Sequence, residues 1–113
     1  MNYKISQVIP ISVVIIAKNE ERNIEDCLKS VFGWADEIIV VDDESNDRTV
    51  GVAKRYTDKI FVKKMDIEGR HRNWAYSLAK NQWVLSLDAD ERVTEELKEE
   101  INYVLKTDTE YVA

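Results

Sequence analysis

Three short clusters hold most of the residues that could do chemistry: Lys18-Asn19-Glu20, Asp42-Asp43-Glu44 and Asp88-Ala89-Asp90-Glu91. Each follows an apolar run: ISVVIIA, EIIVV and WVLSL in turn. Carboxylates gathered from several such ends repel one another and push some of their own pKa values up, unless a cation or a set of donors compensates. Oxygen donors, in a chain with one histidine and one cysteine, favour a hard ion such as Mg²⁺ or Mn²⁺ over zinc. Ions of this kind commonly arrive with phosphates.

Asp88 and Asp90 are two apart, so if extended geometry persists their side chains leave one face and Ala89 the other. An Asp-x-Asp pattern is weak by itself. Its place after a Val/Leu strand, opposite a second acidic strand end, gives it weight. An EF-hand loop is excluded, because Arg92 and Val93 stand where an oxygen ligand and a glycine belong. A phosphoryl-transfer enzyme with an Asp nucleophile stays as an alternative, although Arg92 stands where the haloacid dehalogenase pattern wants Thr or Val. Asp47 and Asp58 read as ordinary loop and capping residues, His71 as a surface residue, and Trp34, Trp74 and Trp83 as packing residues.

The elements that must position these clusters alternate in period. Ile11 to Ala17, Glu37 to Val41, Lys59 to Lys63 and Gln82 to Leu87 are short runs with the Val/Ile content of strands covered on both faces. Between them, Ile24, Leu28, Val31 and Phe32 form one stripe of a helix that Gly33 would close. Thr49 to Tyr56 and Arg70 to Lys80 read as two further helices. Thr94 can cap a last helix with the apolar face Leu97, Ile101, Val104 and Leu105. This βαβαβαβ order implies an α/β fold, a mainly parallel sheet with helices on both faces. In such sheets ligands bind beyond the carboxyl ends of the strands, which is where all three clusters lie.

The totals bound the rest. At 113 residues there is room for one small domain and no second one. The formal charge of −6 argues against nucleic acid as a partner, since that needs a basic face. Lone Cys27 excludes an internal disulfide; with no signal peptide in evidence, a cytoplasmic protein is expected. No apolar run reaches the roughly 20 residues of a membrane span, and peripheral contact with the inner face of a membrane stays open.

The segments ISVVIIAKNEERNIEDCLKS, DEIIVVDDESNDRT and GRHRNWAYSLAKNQWVLSLDADERVTEEL together resemble family 2 glycosyltransferases of the GT-A fold. The matching motifs run in order: the strand ending AKNE, the strand ending VVDDES, the RN before a helix, and LDADE. The wording around WADEIIVVD, RN and DADERVTEEL is similar to bacterial enzymes that add a hexose to the lipopolysaccharide core.

The resemblance implies that residues 1–113 are the Rossmann-like, nucleotide-sugar-binding portion of such an enzyme, truncated before its acceptor-binding half. Ala17, Lys18, Glu20 and Asp43 would hold the nucleoside, with Asp42 in support and Arg70 or Arg72 near the diphosphate. Asp88 would face the ribose or donor sugar, and Asp90, with Asp88 beside it, would ligate Mg²⁺ or Mn²⁺. The implied reaction is an inverting transfer of a hexose from a nucleotide-diphosphate sugar, UDP-hexose first, to a glycolipid or saccharide acceptor. Its catalytic base is expected beyond Ala113, so a non-catalytic nucleotide-diphosphate-binding module is the alternative for this chain. Glu44 departs from the family, whose members commonly carry glycine there. An exposed sheet edge, finally, would favour a homo-oligomer.

Overall fold

The structure is a computed structural model that describes residues 8–65 and 70–111. The sequence-based readings of the Arg70 and His71 side chains lie outside the described residues. Four strands and four helices alternate: β1 (Ile9–Ala17), α1 (Ile24–Val31), β2 (Ala35–Asp42), α2 (Thr49–Ala53), β3 (Ile60–Val62), α3 (Arg70–Ser77), β4 (Trp83–Asp88) and α4 (Glu95–Tyr111). All strand pairs are parallel, in the order β3-β2-β1-β4.

Alternation along the strands decides which helix covers which face. Val13, Ile15 and Ala17 of β1 and Val40 of β2 pack with Ile24, Cys27, Leu28 and Val31 of α1, Ala53 of α2 and Leu105 of α4. Val14, Ile39 and Val41 point the other way, onto Trp74, Ala75 and Tyr76 of α3. Val13, Val14 and Ile15 are wholly buried, and each such side chain contributes roughly 1.5–3 kcal/mol relative to an exposed one. The expected parallel α/β sheet with helices on both faces is therefore present.

Register places the chemistry. Ala17 of β1 lies beside Asp42 of β2, and Ile16 lies beside Asp88 of β4. The three strand ends therefore finish level. The chain runs outward from β1 through β2 to β3, then returns to β4 on the far side of β1. That reversal opens a crevice between β1 and β4, the kind of switch point at which α/β sheets bind ligands.

Several details depart from the sequence-based expectation. Phe32 leaves the helical stripe: α1 ends at Val31, Phe32 turns extended (φ −66°, ψ 131°), and its ring, 57% exposed, stands edge-on to Tyr56. Gly33 closes the helix at φ +83°, a conformation costly for any residue with a Cβ. The second helix stops at Ala53 and the third at Ser77, short of Tyr56 and Lys80. Trp34 is buried as expected, with Nε1 donating to Asn102, but Trp83 is 37% exposed, because β4 is an edge strand. On α4 only Leu105 of the apolar face is fully covered, while Leu97 and Val104 are exposed.

Candidate donor-binding cleft

Above the crevice lies a cleft of about 360 Å³ lined by Ile16, Ala17, Lys18, Glu20, Asp43, Met65, Arg72, Asp88, Ala89 and Asp90. Seven of the eight residues selected from sequence thus meet in one place: Ala17, Lys18, Glu20, Asp43, Arg72, Asp88 and Asp90. Asp42 does not. It is 1% exposed, and its carboxylate accepts from the Ser45 backbone N–H (2.8 Å) and the Ser45 hydroxyl (2.6 Å), so it shapes the loop beneath the cleft. Alternation explains the split, since consecutive residues at a strand end cannot face the same way.

Asp43 is fixed from both sides. Its N–H donates to the Ala17 carbonyl (2.8 Å), and its Oδ1 accepts from the Met65 N–H (2.9 Å), which follows β3. No pattern in the sequence singles out Met65, because the contact is made by its backbone. The loops after β1 and β2 are stitched to each other. Asn19 N–H donates to Ser45 Oγ, Glu20 N–H to Thr49 Oγ1, Glu21 N–H to Asp47 Oδ2, and Asn46 N–H to Asn19 Oδ1. Asp47 is the loop residue expected of it, standing just before Arg48, the N-cap of α2, and accepting from the Thr49 backbone N–H (3.0 Å). The Thr49 hydroxyl, above all, holds its carboxyl below the ordinary value, with the backbone N–H groups of Thr49 and Glu21 assisting against burial.

Two residues of these loops adopt left-handed backbone: Asn19 at φ +52° and Glu44 at φ +50°. Asparagine tolerates that region; for glutamate it costs roughly 1–2 kcal/mol. A glycine, which the family resemblance leads one to expect at the Glu44 position, would adopt this conformation without that cost.

The Asp-x-Asp segment turns after Asp88, so the condition of persisting extended geometry is not met. Beyond Asp88 the Glu91 N–H donates to the Asp88 carbonyl (2.9 Å), and Glu91 Oε1 accepts from the Asp88 N–H (2.7 Å). Ala89 is drawn into the core, its N–H on the Ile16 carbonyl (3.0 Å), while Asp88 and Asp90 remain exposed along the cleft. Beneath the turn, Cys27 Sγ lies 3.8 Å from the Asp88 carbonyl. Its thiol is pushed up to about 12, by burial first and then by the negative field of Glu91, Asp90 and Asp88.

Arg72 crosses from α3 to the cleft. Its Nη2 donates to Asp88 Oδ1 at 3.2 Å, an ion pair whose partners are 35% and 55% exposed. Together Lys18 and Arg72 oppose Glu20, Asp43, Asp88 and Asp90, a formal balance of −2. Among the described residues no three His, Cys, Asp or Glu side chains are grouped closely enough to cage a metal. Mg²⁺ and Mn²⁺ do not require a cage. Mg²⁺ in particular is held by one or two carboxylates, the other ligands coming from phosphates and water. Asp88 and Asp90 fit that mode, with oxygen donors only.

The model for Glycosyl transferase family 2 matches residues 12–113, nearly the whole chain. The chain belongs to glycosyl transferase family 2. An uncharacterized glycosyltransferase of Rickettsia bellii is 44% identical over 94 residues, covering 83% of this chain and 32% of that relative. The lipopolysaccharide core biosynthesis glycosyltransferase LpsC of Rhizobium meliloti is 29% identical over 109 residues, covering 92% of this chain and 40% of its own. A crystal structure of S. aureus TarS 1-349 in complex with UDP-GlcNAc superposes with a TM-score of 0.67 at 27% identity, over 88% of this chain and 32% of that one. This family 2 chain thus has the GT-A architecture and spans about a third of the length of such relatives.

Proposed function

We propose that this chain carries the donor site of an inverting glycosyltransferase that moves a hexose from a UDP-sugar to a glycolipid or saccharide acceptor. The observation that supports it is the meeting of Lys18, Asp43, Arg72, Asp88 and Asp90 in one cleft at the sheet's switch point. The UDP-GlcNAc named for the TarS structure supports a UDP-sugar, and the name of LpsC supports a glycolipid acceptor.

Charge argues for the cofactor. A cleft with a formal balance of −2 repels a diphosphate, so binding calls for a divalent cation. Bound at Asp90 and Asp88, Mg²⁺ or Mn²⁺ would neutralise the charge that builds on a departing nucleoside diphosphate. The chain's own residues do the rest: Asp43 is held rigidly where a nucleoside can be oriented, and Arg72 offers a planar cation to phosphate oxygens. No helix among the described residues is long and apolar enough to cross a membrane.

Calorimetric titration of UDP with and without Mn²⁺ tests the reading. UDP is expected to bind far more tightly with Mn²⁺, and Asp90→Ala to lower that affinity by about tenfold or more, roughly 1.4 kcal/mol. Equal affinity with and without the ion, in both proteins, would count against the assignment.

A further inference from the structure

Arg72 is held in place by groups that take no part in the cleft. Its Nη1 lies 3.5 Å from Ser86 Oγ, and the Tyr76 hydroxyl donates to that same Ser86 oxygen at 3.1 Å. The geometry follows from two periods. Ser86 is two residues before Asp88 on β4, so both side chains leave the strand toward α3. Tyr76 is four residues after Arg72 on α3, so the two stack on one face of the helix. Asp88 first, and the Tyr76 hydroxyl after it, raise the guanidinium's pKa above its already high ordinary value, with burial opposing them.

The other nitrogen of the same guanidinium, Nη2, holds the charged partner, Asp88, at 3.2 Å. An ion pair as exposed as Arg72–Asp88 is screened by solvent and worth little. A diphosphate offers the same guanidinium two charged oxygens in a planar, bidentate arrangement, which is the stronger contact. Arg72 therefore has neutral neighbours outside the cleft, Ser86 and behind it Tyr76, and one charged partner that a diphosphate can replace.

We propose that Tyr76 and Ser86 are positioning residues, which hold the Arg72 guanidinium at the cleft wall so that it exchanges Asp88 for the donor's diphosphate. An arginine already ordered by its neighbours gives up less conformational freedom on binding, so the two hydroxyls act on affinity without touching the ligand. The inference rests on the donor-site reading above.

The test uses UDP and uridine as probes, with Mn²⁺ in excess, on the 113-residue chain. UDP is followed by calorimetry and uridine, which lacks phosphate, by NMR shift titration. Tyr76→Phe and Ser86→Ala are each expected to weaken UDP roughly three- to tenfold and to leave uridine unchanged. In an Arg72→Ala background, Tyr76→Phe is expected to change UDP affinity no further. A purely structural role would weaken UDP and uridine alike and would persist without Arg72; that pattern overturns the inference, as does full UDP affinity in both single variants. If the unaltered chain binds no UDP, the donor-site reading falls, and this inference with it.

Discussion

Glu37 shows how much a single buried carboxylate can matter outside the cleft. It lies near the start of β2, at the end of the sheet opposite the cleft, and is 5% exposed. Burial would raise its pKa; hydrogen bonds from Lys59, the Lys80 backbone N–H (2.8 Å) and the Ser12 hydroxyl (2.6 Å) outweigh that and bring it below the ordinary 4.5. A carboxyl with a lowered folded-state pKa stabilises the fold above its unfolded value, and the contribution is lost as pH falls through the folded one. Glu37→Gln is therefore expected to cost about 1–2 kcal/mol at pH 7. The gap from the unaltered chain should close as the pH drops below 4.5. Urea denaturation across that range measures it, and a gap independent of pH would show that charge is not the cause. None of this was legible in the sequence, where Glu37 is one polar letter opening an apolar strand. Its partners Ser12, Lys59 and Lys80 lie 25, 22 and 43 residues away. The cleft acids, by contrast, were legible because each stands where an apolar run stops.

At the scale of elements, the alternation of strand and helix was readable from period alone, and the ends were not. Helices α2 and α3 stop before their apolar pattern does, and Phe32 turns away once Gly33 allows the chain to reverse. Equally hidden was the stitching between the β1–α1 and β2–α2 loops, since it joins residues some 26 to 29 apart through backbone N–H groups. Thr49 is the centre of that seam: fully buried, it accepts from the Glu20 N–H (2.9 Å) and donates to Asp47. Thr49→Val keeps the shape, leaves the Glu20 N–H without its acceptor and removes one of the donors to Asp47. The expected cost is about 1–2 kcal/mol in urea denaturation. Glu20, a wall of the cleft, should also lose protection against amide hydrogen exchange. Unchanged exchange at Glu20 would mean that the seam does not hold that loop in place.

For the molecule as a whole, the sheet has two unequal edges. Strand β3 is three residues long and flanked by Lys59 and Lys63, a combination that discourages pairing with another chain. Strand β4 is twice that length, and among the described residues it pairs only with β1. Beside it runs a groove of about 330 Å³ lined by Ile11, Trp83, Leu85, Leu97, Ile101 and Val104, in which Trp83, Leu97 and Val104 remain exposed. A second copy suits this surface. Two β4 edges related by a two-fold axis offer each other matching rows of N–H and C=O groups, and the same axis brings the two grooves together. The contact would be small, under roughly 1,200 Å², and so weak. Sedimentation of the chain is therefore expected to show a concentration-dependent dimer. Val104→Lys, on the exposed face of α4, should shift it to monomer with little change in stability, since an exposed side chain contributes little to folding. A monomer at every concentration would remove the edge as an association site, while a dimer indifferent to Val104→Lys would place the contact elsewhere.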